Sequence, residues 1–410
     1  MAQRSAAAKS TDRFERKREA ILDAATRILN RKGIKGLTLG DTAAAVDLST
    51  TSVTYYFKRK DDLAAACITR GIETLHDIAD AAIRAPSPSE RLHAFLTGYL
   101  DTLKRIDEGQ APPLPIISEL RALSSPRREE VAQSYGRLFR KARQMFDHPD
   151  MLWMSRGRRT ARTRMLLEQV FWGGAWLVRY ETEDYPRIRD RIVDILLNGV
   201  APEGSSWEPA AISMARLAAR EGPETSRETF LLAATRLINR RGYRGASVDK
   251  ISAELNVTKG SFYHHNEAKD DLVVACFERS FEVMRRAQRL AMELPGNQWD
   301  KLSACAAALA EFQLSEHGPL LRTLALTALP EQMRRVMMDH ANRISERFAS
   351  MISDGIAEGS IRPVDPAIAA QMLNATLNAC AELGYLVPDV RPKAAASVFV
   401  RPLLMGIFET

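Results

Sequence analysis

Two stretches of this sequence share one pattern. Residues 48–63 read LSTTSVTYYFKRKDDL, and residues 257–272 read VTKGSFYHHNEAKDDL. Both contain small polar residues, then aromatic or histidine residues, and both end in Lys-Asp-Asp-Leu. When residues 18–67 are placed over residues 227–276 without a gap, 19 of the 50 positions are identical. An ungapped match of this extent indicates an internal duplication.

Each copy contains residues that typically start and end short helices. In the first copy, a helix is predicted over residues 13–32, and Gly33 suits a left-handed helix stop. Thr38 is predicted to cap a second helix, and a third helix is predicted to begin at Ser49 or Thr50. Two short helices joined by a tight turn form a helix-turn-helix, which presents its second helix to a DNA major groove.

The third helix contains residue types that can contact DNA in the major groove. Small polar side chains at its start can approach bases and phosphates, while aromatic and basic residues farther along can pack on the sugar-phosphate backbone. An alternative assigns the aromatic residues to a core, but the duplication of the pattern disfavours it. The candidate contact residues of the first copy are Thr50, Thr51, Ser52, Thr54, Tyr55, Tyr56, Lys58, Arg59 and Lys60.

The rest of the chain is dominated by apolar residues at helical spacing, and no stretch favours a sheet. The predicted fold class is therefore all-α. The predicted helix-turn-helix modules are residues 1–65 and 226–274, and each precedes a larger helical domain, residues 66–200 and 275–410. Residues 201–225 are rich in Pro, Gly and Ser and are expected to form a linker with a short helix near residues 212–220.

This pattern resembles the TetR-type family of bacterial transcriptional regulators. The resemblance is carried by the Ala-Ala-x-x-Leu/Ile helix, the Gly-x-x-Gly-x-Thr/Ser turn, the aromatic-rich helix and the Lys-x-x-Leu start of the next helix. Residues 257–265 are especially close to the family pattern. The resemblance implies a tandem duplication of a DNA-binding module followed by a helical ligand-binding and dimerisation domain.

The resemblance also assigns DNA contacts in each copy, among which Lys60 and Lys269 are expected to contact phosphates. In the first copy these residues are Thr38, Thr50, Thr51, Ser52, Tyr55, Tyr56 and Lys60. In the second copy they are Ser247, Lys259, Gly260, Ser261, Tyr263, His264 and Lys269.

The second copy departs from the family pattern. Asn266 stands where Phe is usual, and Glu267 stands opposite Lys58, where an acidic side chain would repel phosphates. Residues 1–70 hold 14 Lys and Arg against 8 Asp and Glu, whereas residues 217–279 hold 10 against 9. We therefore expect the first copy to bind DNA more strongly than the second.

The resemblance implies a regulator that binds a double-stranded DNA operator, usually as a repressor that a small-molecule effector releases. The alternative is a ligand-independent DNA-binding or architectural protein. Aromatic residues on predicted helices could equally be plain core, and the two asparagines could pair across a helix bundle. The candidate effector-binding residues are Phe95, Tyr99, Trp172, Trp176, Asn374 and Asn378.

Regulators of this kind usually act as twofold dimers on near-palindromic DNA. Two fused copies can form that dimer inside one chain as a pseudodimer. The alternative is a homodimer of the fused chain with four helix-turn-helix modules, which we call reading heads. The predicted dimer helices are residues 162–180, 185–200, 366–385 and 392–408. The arginine-rich residues 156–164 are predicted to form a solvated loop that leads into a helix, and the alternative is a second basic DNA contact.

The sequence gives little support for a membrane protein, a secreted protein, a metalloprotein or an enzyme. No window approaches the roughly 18 apolar residues of a membrane span, and the N-terminus lacks the apolar region of a secretory signal, so we expect a cytoplasmic protein without a membrane partner. The four cysteines lie far apart and are expected to be buried. The histidines lack metal-ligand spacing, and no nucleophile elbow or phosphate-cradling loop occurs, so we expect no metal, cofactor or enzymatic activity.

Overall fold

The computed structural model describes residues 2–409 apart from 118–119, 121–122, 220–224, 247, 256–268, 383–386 and 388–389. Every regular element in these described residues is helical, which confirms the all-α prediction. The chain forms two compact units. The first comprises residues 1–77 and 102–138, and the second comprises residues 78–101 and 139–410.

The described residues of the N-terminal part form six α-helices. They are α1 Ala2–Gly36, α2 Leu39–Ala44, α3 Thr50–Tyr56, α4 Lys60–Ala82, α5 Pro88–Asp107 and α6 Arg127–Arg143. Helix α1 begins earlier than predicted because residues 2–12 are rich in alanine, the strongest helix former. The predicted stop at Gly33 is a break inside α1, where the backbone has φ +62°.

The remaining helices belong to the second unit. They are α7 Arg156–Trp176, α8 Tyr185–Asn198, α9 Met214–Ala218, α10 Thr225–Gly245, α11 Val248–Leu255, α12 Lys269–Met292, α13 Gln298–Leu314, α14 Glu331–Glu358, α15 Pro366–Cys380, α16 Pro392–Ala395 and α17 Arg401–Leu404. A π-helical turn, Ala396–Val400, lies between the last two. Helix α9 is the short helix expected in the linker, and Gly242 breaks α10 as Gly33 breaks α1.

Within the second unit, helices from both halves of the sequence pack against each other. Helix α7 contacts α15, and α8 contacts both α15 and α17. Gln169 Nε2 donates hydrogen bonds to the Met372 carbonyl at 3.2 Å and to Thr376 Oγ1 at 3.0 Å. Trp172 Nε1 donates to Gln371 Oε1 at 2.9 Å. The helices predicted to form a dimer bundle therefore pack together inside one chain.

The prediction of a solvated loop over residues 156–164 was wrong, because the whole segment lies on α7 and two of its arginines are buried. Both lie on α7, and Arg162 donates to the carbonyls of Ile407 at 2.6 Å and Glu409 at 2.9 Å. Burial, with the charges of Arg158 and Arg401, lowers the pKa of Arg162 to about 10. The other buried arginine, Arg164, belongs to an ionic cluster.

This cluster, which we call the cross-half cluster, consists of Arg164, Glu168, Arg322 and Glu382, with Asn378 beside it. Arg164 lies 2.5 Å from Glu168 and 2.7 Å from Glu382, and Arg322 contacts Glu382 and lies 3.7 Å from Glu168. The side chain of Glu168 is 0% exposed and that of Arg164 is 3% exposed. Breaking a buried ion pair by removing one partner typically costs about 3–5 kcal/mol. The cluster therefore ties α7 to residues of the second half.

The cysteines are buried, as the sequence predicted. The Sγ atoms of Cys67 and Cys276 occupy matching positions, each 3.6 Å from a carbonyl on the first helix of its own half, Leu22 or Leu231. Burial raises the pKa of Cys67 to about 11 and that of Cys276 to about 12. Both thiols are therefore packed as small apolar groups at ordinary pH.

No helix in the described part of the chain is long and apolar enough to cross a membrane.

Replacing Gly199 with Ala tests the close approach of α8 and α17. Gly199 has φ +67°, and a Cβ there would clash with the Leu404 carbonyl, which accepts hydrogen bonds from Val200 and Ala201. We expect G199A to lower the free energy of unfolding by more than about 1 kcal/mol in urea titrations.

Gly174 provides the matched control because it is an exposed helical glycine, and a Cβ added there would meet nothing within 4 Å. G174A should leave the free energy of unfolding unchanged or raise it by up to about 1 kcal/mol. Equal stability of the two variants would contradict the close packing at Gly199.

Candidate nucleic-acid interface

Helix α3 has one buried face and one open face. Val53 is fully buried and Phe57 is 5% exposed, so these two residues, one turn apart, fix the helix to its module. Tyr55 is 76% exposed, which contradicts the alternative that places it in a core. Among the predicted DNA contacts on α3, Thr50, Thr51, Thr54 and Tyr55 are exposed, while Ser52 and Tyr56 are half-buried. After the helix, Lys58 is exposed and Lys60 is half-buried.

Hydroxyl groups hold the ends of these helices in place. Thr38 caps α2 by accepting a hydrogen bond from the Asp41 amide at 2.9 Å, as predicted. Ser49 caps α3 by accepting from the Ser52 amide at 3.1 Å, and the two serine hydroxyls lie 2.8 Å apart. Thr54 donates to the Thr50 carbonyl at 2.9 Å. The polar start of α3 is therefore fixed before any DNA approaches.

An aromatic cluster, Phe14, Tyr55 and Tyr56, joins α1 to α3. The ring centroids of Phe14 and Tyr56 are 4.6 Å apart, those of Phe14 and Tyr55 are 6.1 Å apart, and those of the two tyrosines are 5.4 Å apart. Sequence reasoning missed Phe14, because it is a single aromatic residue outside the duplicated motif. Its contacts show that the part of α1 around Phe14 lies beside Tyr55 and Tyr56 of α3.

The start of α4 is an acidic cap beside a basic residue. Asp62 accepts from the Arg59 amide at 3.1 Å and from Arg127 Nε at 2.8 Å. Burial alone raises the pKa of Asp62, but its bonds and charge contacts with Arg127 and Arg59 lower it below its usual value. The carboxylate therefore stays ionised and anchors the turn that carries Lys60.

The same pair of hydrogen bonds occurs in both halves of the sequence. In the first half it joins α1 to the chain that follows α5, and in the second half it joins α10 to the chain that follows α13. Asn30 donates to the Leu114 carbonyl at 2.8 Å and accepts from the Ile116 amide at 3.0 Å. Asn239 makes the same pair of bonds, with the Leu320 carbonyl at 2.8 Å and the Arg322 amide at 3.1 Å. The sequence shows that asparagine occupies this position in both copies of the repeat, but it does not show which backbone groups these side chains bind.

A repeated ion pair accompanies these bonds. Arg70 on α4 lies 2.9 Å from Glu19 on α1, and Arg279 on α12 lies 2.7 Å from Glu228 on α10. Each pair ties the first helix of a module to the helix that leads out of it. Both copies therefore attach the module to its connecting helix in the same way.

The reading helix of the second copy falls outside the described residues. The predicted contacts Ser247, Lys259, Gly260, Ser261, Tyr263 and His264 all lie there, as do Asn266 and Glu267. Lys269 begins α12, at the position that Lys60 occupies in α4.

The predicted effector residues lie in three environments. Trp172, Asn374 and Asn378 line one cavity of about 40 Å³. Tyr99 and Trp176 line a space of only about 10 Å³. Tyr99 donates to the Val170 carbonyl at 2.8 Å, and burial raises its pKa. Phe95 is fully buried and lines neither space.

The larger of these cavities combines apolar walls with polar atoms. Its apolar lining includes Phe281, Leu321 and Ile344. The Asn374 amide nitrogen donates to Ser345, but the buried Asn374 Oδ1 has no hydrogen-bond partner among the described residues. Asn378 is engaged, because its amide nitrogen donates to Glu168 of the cross-half cluster and its Oδ1 accepts from the Thr323 amide at 2.9 Å.

Comparisons with known proteins agree with the duplicated architecture. The family described as "Bacterial regulatory proteins, tetR family" matches residues 21–67 and again residues 230–276. The family described as "Tetracyclin repressor-like, C-terminal domain" matches residues 295–382. The two matches to the first family are 209 residues apart, which is the offset of the repeat.

Individual relatives include regulators. The transposon Tn10 TetC protein of Escherichia coli is 21% identical over 157 residues, which cover 38% of this chain and 78% of that protein. The HTH-type transcriptional repressor NemR of E. coli K12 is 28% identical over 137 residues, which cover 32% of this chain and 68% of that protein. A solved structure of the TetR family regulator PfmR from Thermus thermophilus is 22% identical, covers 43% of this chain and 98% of its own, and has a TM-score of 0.37.

Proposed function

Because the chain belongs to the TetR family of bacterial regulators, with two copies fused in one polypeptide, we propose that it is a repressor that acts as an internal pseudodimer. It is a DNA-binding helix-turn-helix transcriptional regulator. The proposal adds that one chain supplies both reading heads to one operator. Its proposed place of action is the cytoplasm.

The packing of α7 and α8 on α15 and α17 is the observation that carries this proposal. These helices come from the two halves of the sequence, and the cross-half cluster and the Gln169 and Trp172 bonds join them. A covalent connection keeps the second reading head at a high effective concentration once the first has bound, so no second chain is needed for two-site binding.

The two reading heads are proposed to be unequal. The first offers hydroxyl and tyrosine side chains on the open face of α3, followed in the chain by Lys58 and Lys60. The second has Asn266 and Glu267 in its reading region, and little net charge surrounds it. Because phosphate contacts supply much of the affinity for DNA, the second head should bind more weakly or read a different half-site.

The proposed effector site is the 40 Å³ cavity lined by Trp172, Asn374 and Asn378. Trp172 comes from the first half and the two asparagines from the second. Asn378 also holds Glu168, so a ligand that takes over this amide would disturb the cross-half cluster. A ligand that prefers the disturbed state would then change the spacing of the reading heads and release DNA.

A ligand-independent DNA-binding or architectural protein is the second candidate. The small volume of the cavity favours it, because cavities that hold drug-sized ligands measure about 300–1,000 Å³. We propose no catalytic activity.

Selection of bound duplexes from a random DNA pool tests the pseudodimer. We expect one strong half-site at a fixed distance from a second, weaker or different half-site, because the two heads differ and share one chain. Recovery of a symmetric near-palindrome would contradict unequal heads. Recovery of a single isolated half-site would contradict two-headed reading.

Replacing Lys60 with Ala tests the phosphate contact at the start of α4. We expect K60A to weaken binding to all duplex sequences and to reduce the slope of log affinity against log salt by about one unit. The matched variant K269A should lose less affinity if the second head binds weakly. Equal losses, measured by fluorescence anisotropy over a range of salt, would contradict the inequality of the heads.

Replacing Asn374 with Leu tests the effector site. Compounds that raise the melting temperature of the wild-type chain and release DNA should lose both effects in N374L, because its free carbonyl oxygen is removed. The control Y99F alters a residue of the other small space and should keep both effects. If no compound in a broad screen shifts melting or releases DNA, the ligand-independent function is favoured instead.

A further inference from the structure

We propose that residues 12–20 of α1 are an additional DNA-binding surface that holds phosphates flanking the half-site of the first head. The inference rests on the proposed DNA reading by α3 and assigns a role to residues outside the helix-turn-helix. We call this segment the basic arm. Its partner is duplex DNA, recognised through the backbone and without regard to base sequence.

The basic arm is continuous with the reading face. Phe14 is 37% exposed and packs against Tyr55 edge to face and against Tyr56, with its ring centroid 4.6 Å from that of Tyr56. Tyr55 is the most exposed aromatic residue of α3, at 76%. This aromatic contact holds the basic arm at the edge of the open face of α3. A duplex bound by α3 therefore passes close to the basic arm.

Charges on the arm are separated around the helix. Arg13 and Lys17 are one turn apart and lie on one side, while Glu15 and Glu19 are one turn apart on another side. Glu19 is held by Arg70 of α4, which directs the acidic side toward the body of the module. The basic side therefore lies away from α4.

The two basic residues are available for a polyanion. Arg13 and Lys17 are exposed, and neither makes an ion pair with any residue that the structure describes. Arg16, in contrast, lies 2.7 Å from Asp12. Arginine and lysine that contact phosphates raise affinity and release counterions, and they carry no sequence information of their own. This chemistry fits the flank of an operator.

The second copy has no equivalent of the arm in its sequence. At the offset of the repeat, the positions of Arg13, Phe14 and Lys17 correspond to Gly222, Pro223 and Ser226. The aromatic anchor and both cations are therefore missing. A flanking contact on one side only would add to the difference between the two heads.

The test uses the full chain and two duplexes that contain the operator recovered from the random pool. One duplex ends at the edge of the first half-site, and the other extends beyond it by about one helical turn of arbitrary sequence, roughly 10 bp. Affinities are measured by fluorescence anisotropy between about 50 and 200 mM salt. The variant is R13A/K17A, and the matched control is R16A, which removes a cation that is already paired.

We expect the wild-type chain to bind the longer duplex more tightly, with a steeper salt dependence. R13A/K17A should lose this advantage, and its salt slope on the longer duplex should fall by about 1.8 units, since each phosphate contact contributes about 0.9. The ratio of wild-type to variant affinity then shrinks about 12-fold between 50 and 200 mM salt. R16A should behave as the wild type.

Two results would overturn the inference. If R13A/K17A keeps the wild-type salt slope and length dependence, or R16A loses as much, the arm does not hold flanking phosphates while DNA reading by α3 stands. If the wild-type chain binds no duplex in any selection, the regulator proposal fails, and this inference fails with it. Circular dichroism and melting temperature establish that each variant is folded, and these surface substitutions should leave both unchanged.

Discussion

The cross-half cluster is the buried ionic contact that joins α7 of the first half to residues of the second half. Arg164, Glu168, Arg322 and Glu382 bring four charges into a protein interior, where each is tolerable only beside an opposite charge. Arg164 and Glu168 lie on α7, whereas Arg322 and Glu382 lie more than 150 residues later in the sequence. Separating α7 from the second half would break the contacts of Arg164 with Glu382 and of Glu168 with Arg322. The cluster therefore fixes α7 beside α15, and with it the wall of the cavity that Trp172 and Asn378 share.

Fusion of two copies removes the requirement for a self-complementary interface, which applies to dimers of identical chains. A twofold interface between identical chains must complement itself, so each polar contact occurs twice with the same residue types. Here an α7 glutamine meets an α15 threonine, and an α7 tryptophan meets an α15 glutamine. Once such contacts differ between the halves, the reading heads, the flanking contacts and the cavities are free to differ as well. The junctions that attach each head to its connecting helix are retained, as the paired bonds of Asn30 and Asn239 show.

Local features of the sequence predicted much of the fold. The duplication, the glycine breaks at Gly33 and Gly242, the Thr38 cap and the helices of the bundle follow from spacing, backbone preference and repetition, which act over a few residues. The buried ionic cluster did not follow, because its members are far apart in sequence and Arg164 lies in an arginine-rich stretch that is typical of a solvated surface. Phe14 was missed for a related reason, since an isolated aromatic residue gives no periodic signal until α3 is placed against it.

The stoichiometry of the complex with DNA decides whether one chain forms a complete two-headed reader. Sedimentation velocity or light scattering on the selected operator gives the number of chains per duplex at concentrations well above the dissociation constant. We expect one chain on each duplex and contacts at both half-sites in a footprint of that complex. Two chains on each duplex, with four heads available for two half-sites, would contradict the internal pseudodimer.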